Sequence, residues 1–376
     1  MLKELPLVID PHVHFRVPGG EHKEDWITAS RAALAGGVGL VFDMPNTSPS
    51  TDSQERLTEK KQLIDKQIAE SGYPLQYKLY FGATADNCEE IKKLQPTEVA
   101  GVKLFMGSST GDLLVDKDED IAKVFQAAKE ADLVVAIHAE DEEMIKEAAG
   151  RFKDENKFSV HSQVRNKEAA AKAVERAINL SREVGNRLYI CHVSSKLELD
   201  LIREAKKEGL PVYAEVCTHH LFFTTADYER LKGKVRMNPP VRDQEDIDAL
   251  WQGISDGIVD TLGTDHAPHT LEEKNQNVWN TPSGVPGIET LLPLMLNSVN
   301  QGKVSLEKLA DLMHNNVVKI FGLEPPSGKT IVDMDLAKEV RDEDLQTKCG
   351  WSPYAGMKLK GWPVKVELDG KEYNCE

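Results

Sequence analysis

Cysteine is scarce in this chain and positive charge is in deficit. Its five cysteines, Cys88, Cys191, Cys217, Cys349 and Cys375, are scattered over 376 residues and odd in number. That excludes a disulfide framework and a zinc ribbon, which need closely spaced, paired thiols. A reducing, cytoplasmic setting is the expectation. Lysine and arginine total 46 against 62 aspartates and glutamates, a net charge of −16. Such a balance argues against nucleic acid or an anionic membrane as the partner. An anionic small substrate stays possible if arginine and histidine cluster locally. No apolar run reaches the roughly 18 residues of a membrane span. No secretory apolar core precedes the first strand, because Met1 runs directly into it. Low-complexity segments are also missing.

What the chain does have is a repeated unit of apolar run, loop and amphipathic segment. The runs are Leu7–Ile9, Val38–Phe42, Tyr77–Phe81, Val99–Phe105, Leu133–Ile137, Leu188–Val193, Leu210–Val216 and Ile258–Leu262. Each is continuously apolar rather than alternating, as a parallel strand covered on both faces requires. Helices are predicted between them at Asp25–Ala35, Asp52–Ser71, Asp86–Leu94, Asp118–Ala131, Asn166–Val184, Lys196–Glu208 and Glu245–Gly253. Several open with Asp or Asn, which cap the free amides of a first turn. Eight such units predict an α/β fold, a (β/α)8 barrel spanning residues 1–324. A loop over Thr264–Gly287 and helices at Ile288–Gln301 and Ser305–Phe321 follow the eighth strand. Residues 325–376 read as a small β-rich appendage, with short strands at Ile331–Asp335, Pro363–Leu368 and Lys371–Tyr373 around an Asp369-Gly370 turn.

Active sites of such barrels lie at the C-terminal ends of the strands. The polar residues ending the apolar runs are therefore the candidates. Strand one offers His12, His14 and Arg16. The histidines share one side because strand side chains alternate. Strand two ends in Asp43-Met44-Pro45-Asn46-Thr47, and strand four contains Lys103. Strand five ends in His138, strand six in His192, and strand seven leads through Glu215 to His219-His220. Strand eight ends in Thr264-Asp265-His266-Ala267-Pro268-His269. One histidine at a strand end is ordinarily structural. His12, His14, His138, His192 and Asp265 at one rim form instead a nitrogen and oxygen donor set suited to a borderline divalent metal. Lys103, flanked by Val, Leu and Phe, is costly if charged and unpaired. Either it pairs with a carboxylate across the barrel, or its neutral amine has reacted with CO2 to give an anion that bridges two metals. Cys191 reads as a buried structural cysteine rather than a ligand.

These residues resemble the amidohydrolase superfamily, and within it the dihydroorotases. The motifs are His12-Val13-His14-Phe15-Arg16-Val17-Pro18-Gly19-Gly20, Met44-Pro45-Asn46-Thr47, Ile190-Cys191-His192-Val193, Glu215-Val216-Cys217-Thr218-His219-His220-Leu221, Asp265-His266-Ala267-Pro268-His269-Thr270 and Gly287-Ile288-Glu289-Thr290. The tail Trp351–Gly361 is similar too, and the likeness spans nearly the whole chain. It extends to the dihydroorotase domain of the animal multifunctional pyrimidine-synthesis protein.

The resemblance implies two Zn2+ ions, or other divalent metals, bridged by N-carboxylated Lys103 and a hydroxide. His12 and His14 would hold one ion and His138 and His192 the other. Asp265 would bind metal and act as general base and acid. Arg16, Asn46 and His269 would clamp a substrate carboxylate, with Arg236 or Asn238 adding a contact. The implied reaction is reversible cyclisation of N-carbamoyl-L-aspartate to L-dihydroorotate. Allantoinase and hydantoinase or dihydropyrimidinase are the rival activities, and a non-catalytic scaffold subunit for aspartate transcarbamoylase is the rival from another class. A homodimer and association with aspartate transcarbamoylase are the partners the resemblance allows. Two departures stand out. The chain starts at strand one, so no N-terminal contribution to a side domain is expected. The loop after Lys103 lacks the aromatic of the animal domain and offers Ser109 or Thr110 to cover a substrate.

Overall fold

The computed structural model describes residues 1–108 and 113–375. Twelve strands are found among them: β1 Leu2–Pro6, β2 Val8–Val13, β3 Val38–Asp43, β4 Gln76–Gly82, β5 Gly101–Phe105, β6 Val135–His138, β7 Leu188–Ile190, β8 Val212–Cys217, β9 Thr261–Gly263, β10 Lys329–Glu339, β11 Lys358–Leu368 and β12 Lys371–Asn374. Strands β2 to β9 pair in sequence order, all parallel. Every residue of β2, β3, β5, β6, β7 and β9 is buried. That explains why these strands read as unbroken apolar runs. The seam between β2 and β9 closes through a Val13–His266 bridge and the His14 N–H donating to the His266 carbonyl at 2.8 Å. Beneath it, the buried Asp10 carboxylate accepts from the Thr264 amide (3.1 Å), the Thr264 hydroxyl (2.5 Å) and the His12 amide (3.1 Å).

The helices follow local capping. Asp25, Ser53, Asn166 and Ser195 each accept an amide hydrogen at the start of Trp26–Ala35, Gln54–Ser71, Lys167–Val184 and Lys196–Lys207. Two expected helices fall short. Asp86–Leu94 shrinks to Cys88–Ile91, and Ser305–Phe321 breaks into Leu306–Ala310, a wide turn at Asp311–Asn315, and Asn316–Phe321. Glu142–Phe152 is a helix that the apolar runs alone did not separate from its loop. The segment after β9 ends against the N-terminal side of the barrel: His314 Nδ1 lies 2.8 Å from the Leu7 carbonyl, and Asn316 donates to the Asp260 carbonyl. Phe321 reaches the interior there, with ring centroids 5.1 Å from Phe42 and Tyr189. The opposite end stays free for chemistry.

The small sheet is antiparallel, in the order β1-β10-β11-β12. Leu2–Pro6 is therefore a strand of its own, paired with Lys329–Asp333. This corrects the expectation that the N-terminal residues run only into the barrel. Their alternation of Leu, Lys, Glu and Leu is too short to announce an edge strand. Asp369 and Gly370, at φ 50° and 75°, turn β11 into β12. Between β10 and β11 the chain returns to the barrel rim as a strap. Glu289 accepts from the Gln346 and Thr347 amides at 2.9 Å. Trp351 donates its indole N–H to the His269 carbonyl at 2.7 Å, and Tyr354 its hydroxyl to Thr218 at 3.0 Å.

Poorly hydrated surroundings push the Glu289 carboxyl up to about 7 despite those two amides. A folded-state pKa above the unfolded one contributes stability at low pH that is lost as pH rises towards 7. Glu289→Gln carries no such titration. Its melting temperature relative to wild type should therefore rise between pH 5 and pH 8. A difference independent of pH in thermal melts would show that Glu289 is hydrated normally.

Candidate metal centre

Strand ends bring the sequence candidates to one place. His12 leaves β2, and its ring centroid lies 5.4 Å from those of both His14 and His192. Nε2 of His12 and of His14 lie 3.3 and 3.0 Å from the same Asp265 oxygen. His138, at the end of β6, points Nδ1 at Nε2 of His192, 3.0 Å away. Two nitrogens bound at about 2.1 Å to one tetrahedral zinc sit roughly 3.4 Å apart, so these atoms are already near ligand spacing. His12, His14 and Asp265 form one group of donors within 4.8 Å of one another. Three residues here hold left-handed backbone: Arg16 (φ 67°), His192 (φ 40°) and Asp265 (φ 46°). Side chains seldom adopt it, and it is how the chain turns each strand end inward.

The electrostatics call for a cation. Burial alone would raise the Asp265 carboxyl, yet His12 and His14 hold it well below the usual carboxylate range. Burial alone would lower His12, but Glu215 and Asp265 flank it and raise it well above its ordinary value. Burial lowers His14 to about 4, and lowers His138 and His192 as well, so these rings present lone pairs. Neutral imidazoles and an ionised carboxylate are the ligand forms a metal takes.

Orienting groups stand behind the ring nitrogens. Glu215 accepts from Nδ1 of His12 at 2.7 Å, leaving Nε2 to face Asp265. Glu140 lies 2.9 Å from Nε2 of His138 and is itself held by Arg165 at 2.9 and 2.5 Å. Asn46 Oδ1 lies 2.8 Å from Nδ1 of His14. A carboxylate or carbonyl on the far nitrogen is the usual partner of a metal-binding histidine.

Lys103 is buried on β5, and among the described residues no carboxylate lies within ion-pair distance of it. Its nearest polar contact is Cys191 Sγ at 3.2 Å. The ion-pair alternative therefore finds no partner. An uncompensated buried ammonium costs several kcal/mol, and a carboxylated amine beside metals removes that cost. The residues fit the group.

Arg16, Asn46 and Asn238 line a small cleft with His14, Asp265, Ser283 and Gly284. It adjoins a cavity of about 260 Å³ that shares His14, Arg16 and Asn46. His269 Nε2 lies 3.1 Å from an Arg16 terminal nitrogen. Gly284, at φ 133°, lets the wall approach: a Cβ there would stand 3.2 Å from His269 Nε2 and 2.5 Å from the Ala267 carbonyl. Arg236 is not among the lining residues. It braces the wall by donating to the Thr281 carbonyl and to Ser283 Oγ (2.8 Å), while Ser283 donates to Asn238 (3.0 Å). Ser109 and Thr110 lie outside the described residues.

Several members of the site were not assigned roles from sequence. Glu140 carried a readable signal, two residues after His138 on an extended segment. Glu215 and Cys191 lay on the rim, and the structure brings both within 4.8 Å of His12. Arg165 ends the short helix Val160–Val164 and had no signal. His219 is buried with neither ring nitrogen partnered among the described residues, and burial lowers it to about 4.

A barrel with histidines, a lysine and an aspartate so placed has known relatives. A family model described as the amidohydrolase family matches residues 5–331, and the chain belongs to that family. Its kinship within the family is with the dihydroorotases. A dihydroorotase of Halobacterium salinarum is 37% identical over 364 residues, covering 94% of this chain and 82% of that one. The multifunctional protein CAD of Squalus acanthias is 34% identical over 373 residues, covering 98% of this chain and 15% of that longer protein. Among solved structures, an L-hydantoinase (dihydropyrimidinase) from Arthrobacter aurescens matches with a TM-score of 0.91 at 30% identity, over 98% of this chain and 84% of that one.

Lys103→Ala should lose bound metal, with partial return when a small carboxylic acid fills the vacated space. Unchanged metal content in the purified variant would remove Lys103 from the centre.

Proposed function

We propose that the chain is a dihydroorotase, interconverting N-carbamoyl-L-aspartate and L-dihydroorotate with loss or gain of one water. The observation that carries this reading is the cleft itself. A guanidinium and two carboxamides line the space beside Asp265, and the His269 imidazole stands 3.1 Å from the guanidinium. A metal-dependent amide hydrolase needs no such clamp unless the ring bears a carboxylate.

Two zinc ions would be held by His12, His14, His138, His192, Asp265 and an N-carboxylated Lys103. Bound there, they supply a Lewis acid for the ring amide carbonyl and a water acidic enough to ionise near neutral pH. Asp265 starts ionised and faces the cluster, so it is the group to take the water's proton. It then delivers that proton to the departing ring nitrogen as the amide bond breaks. Ring closure runs the same path backwards: the amide bond forms, and the proton returns through Asp265 to the leaving water. Arg16 binds the carboxylate that does not react, with Asn46, Asn238 and His269 fixing its orientation. Arg236 acts at one remove, through Ser283. Binding a dianion to a chain of net charge −16 is reasonable because the local field is set by this clamp and the metals. The hydantoinase likeness favours a second reading, a cyclic amide hydrolase acting on rings without a carboxylate; Arg16 and His269 weigh against it. Cytoplasmic location, a homodimer and docking with aspartate transcarbamoylase complete the proposal. Among the described residues, no helix is long and apolar enough to cross a membrane.

The deciding experiment measures turnover of dihydroorotate, allantoin and dihydrouracil by one metal-analysed sample. Dihydroorotate should be preferred, and preference for either of the others would reject the reading. Asp265→Asn should lower kcat by about 10²–10⁴-fold in protein that retains most of its metal; a wild-type rate removes it from proton transfer. Arg16→Lys should raise KM about tenfold with a smaller change in kcat, because an ammonium cannot reproduce the planar fork. An unchanged KM would take Arg16 out of the clamp.

A further inference from the structure

His269 makes three polar contacts that cannot all be hydrogen bonds. Nδ1 lies 3.1 Å from the Lys23 ammonium. Nε2 lies 3.0 Å from the Ser283 carbonyl oxygen and 3.1 Å from an Arg16 terminal nitrogen. Burial holds the ring neutral, helped by Arg16, Lys274 and Lys23 around it. A neutral imidazole has one N–H and one lone pair. An ammonium offers only hydrogens, so Lys23 requires the lone pair on Nδ1. A carbonyl offers only lone pairs, so Ser283 requires the hydrogen on Nε2. The Nε2–H tautomer meets both demands. The other tautomer satisfies Arg16 alone, and it sets N–H against ammonium and lone pair against carbonyl.

The Nε2–H form has a consequence for the cleft. The ring N–H is then spent on the Ser283 carbonyl, and the Arg16 terminal N–H, 3.1 Å from Nε2, meets no lone pair on the ring. Arg16 is fixed from behind by its Nε–H to the Pro268 carbonyl at 3.1 Å. A fixed N–H that the ring does not accept suits a carboxylate oxygen in the cleft. Lys23 is held in its turn: Glu273 Oε1 lies 3.0 Å from it, and Glu273 caps the helix Leu271–Lys274 in a reciprocal box with Thr270. Only 20% of the Lys23 side chain is exposed, so its contact with Nδ1 is a built one. Glu273 Oε2 also approaches Nδ1, but at 3.6 Å, and it already accepts from the Thr270 amide at 3.0 Å.

We propose that Lys23 is a positioning residue for substrate: its ammonium fixes His269 as the Nε2–H tautomer, so that the ring takes no hydrogen from Arg16 and that N–H is left to the substrate carboxylate. This rests on the carboxylate-bearing substrate proposed above. Lys23 itself stands behind the imidazole and acts on the substrate only through His269 and Arg16.

The test is made on the full-length, metal-loaded protein labelled with [15N]histidine. Long-range 1H–15N correlations report the tautomer of each ring, and the His269 signals are those missing in His269→Asn. Wild type should show a protonated Nε2 and a lone pair on Nδ1. Lys23→Met, which has no donor, should lose that preference and raise the KM for dihydroorotate about tenfold, the worth of one hydrogen bond to a charged group, with kcat falling less. Lys23→Arg should keep both the tautomer and a KM within about threefold of wild type, since one donor is retained. Protonated Nδ1 in wild type would overturn the proposal without any Lys23 variant, and so needs no assumption about folding. An Nε2–H tautomer that persists in Lys23→Met overturns it too, since Lys23 would then act by charge alone. So does a changed tautomer with an unchanged KM. If wild type fails to turn over dihydroorotate, the proposed function falls, while the tautomer measurement still decides what Lys23 does to the ring.

Discussion

Two buried carboxylates facing one histidine are the constraint around which this barrel is arranged. Glu215 and Asp265 approach His12 from opposite nitrogens, at 2.7 and 3.3 Å. Neither carboxylate is exposed enough for water to neutralise it. Negative charge gathered in so little solvent must be answered by positive charge, and without a metal only protons supply it. The shifts of His12 upwards and Asp265 downwards express that demand. Closure of the strands follows the same point. Asp10 ties Thr264 to the backbone of His12, so the seam of the barrel and the start of the site are joined by one side chain.

Much of this was legible in the sequence, for definite reasons. The eight barrel strands could be read because burial on both faces leaves continuous apolar runs, and their order in space is their order in the chain. His12, His14, His138, His192 and Asp265 could be read because a polar residue ending such a run must lie at the rim. Arg165 could not, since its place beside Glu140 depends on how a helix far along the chain packs. Arg236 looked like a substrate contact from its motif, and the structure sets one of its terminal nitrogens on the Thr281 carbonyl and Ser283, a placement that no motif announces. β1 escaped notice because a five-residue edge strand with only Leu5 buried has almost no pattern. The break in Ser305–Phe321 escaped too: the apolar period continues through Asp311–Asn315, and only packing against β2 and β9 shows the wide turn.

The appendage does more than cover a sheet edge. Its strap meets the barrel at loops that follow three strands: Glu24 and Glu289 receive Lys348, Thr347 and Gln346, Trp351 holds the His269 carbonyl, and Tyr354 reaches Thr218. These are the loops that carry Arg16, His269 and the His219-His220 pair. The C-terminal segment thus bears on the stiffness of the substrate wall without lining it.

The left-handed backbone at Arg16, His192 and Asp265 sets stability against chemistry in a definite way. Glycine would relax each of these three positions, since it adopts positive φ without penalty. Glycine would also delete a cation, a ring nitrogen or a carboxylate from the centre. A search for hardier variants that scored only survival on heating would therefore be drawn towards residues 16, 192 and 265, and each success there would take a charged or metal-ligating side chain out of the cluster.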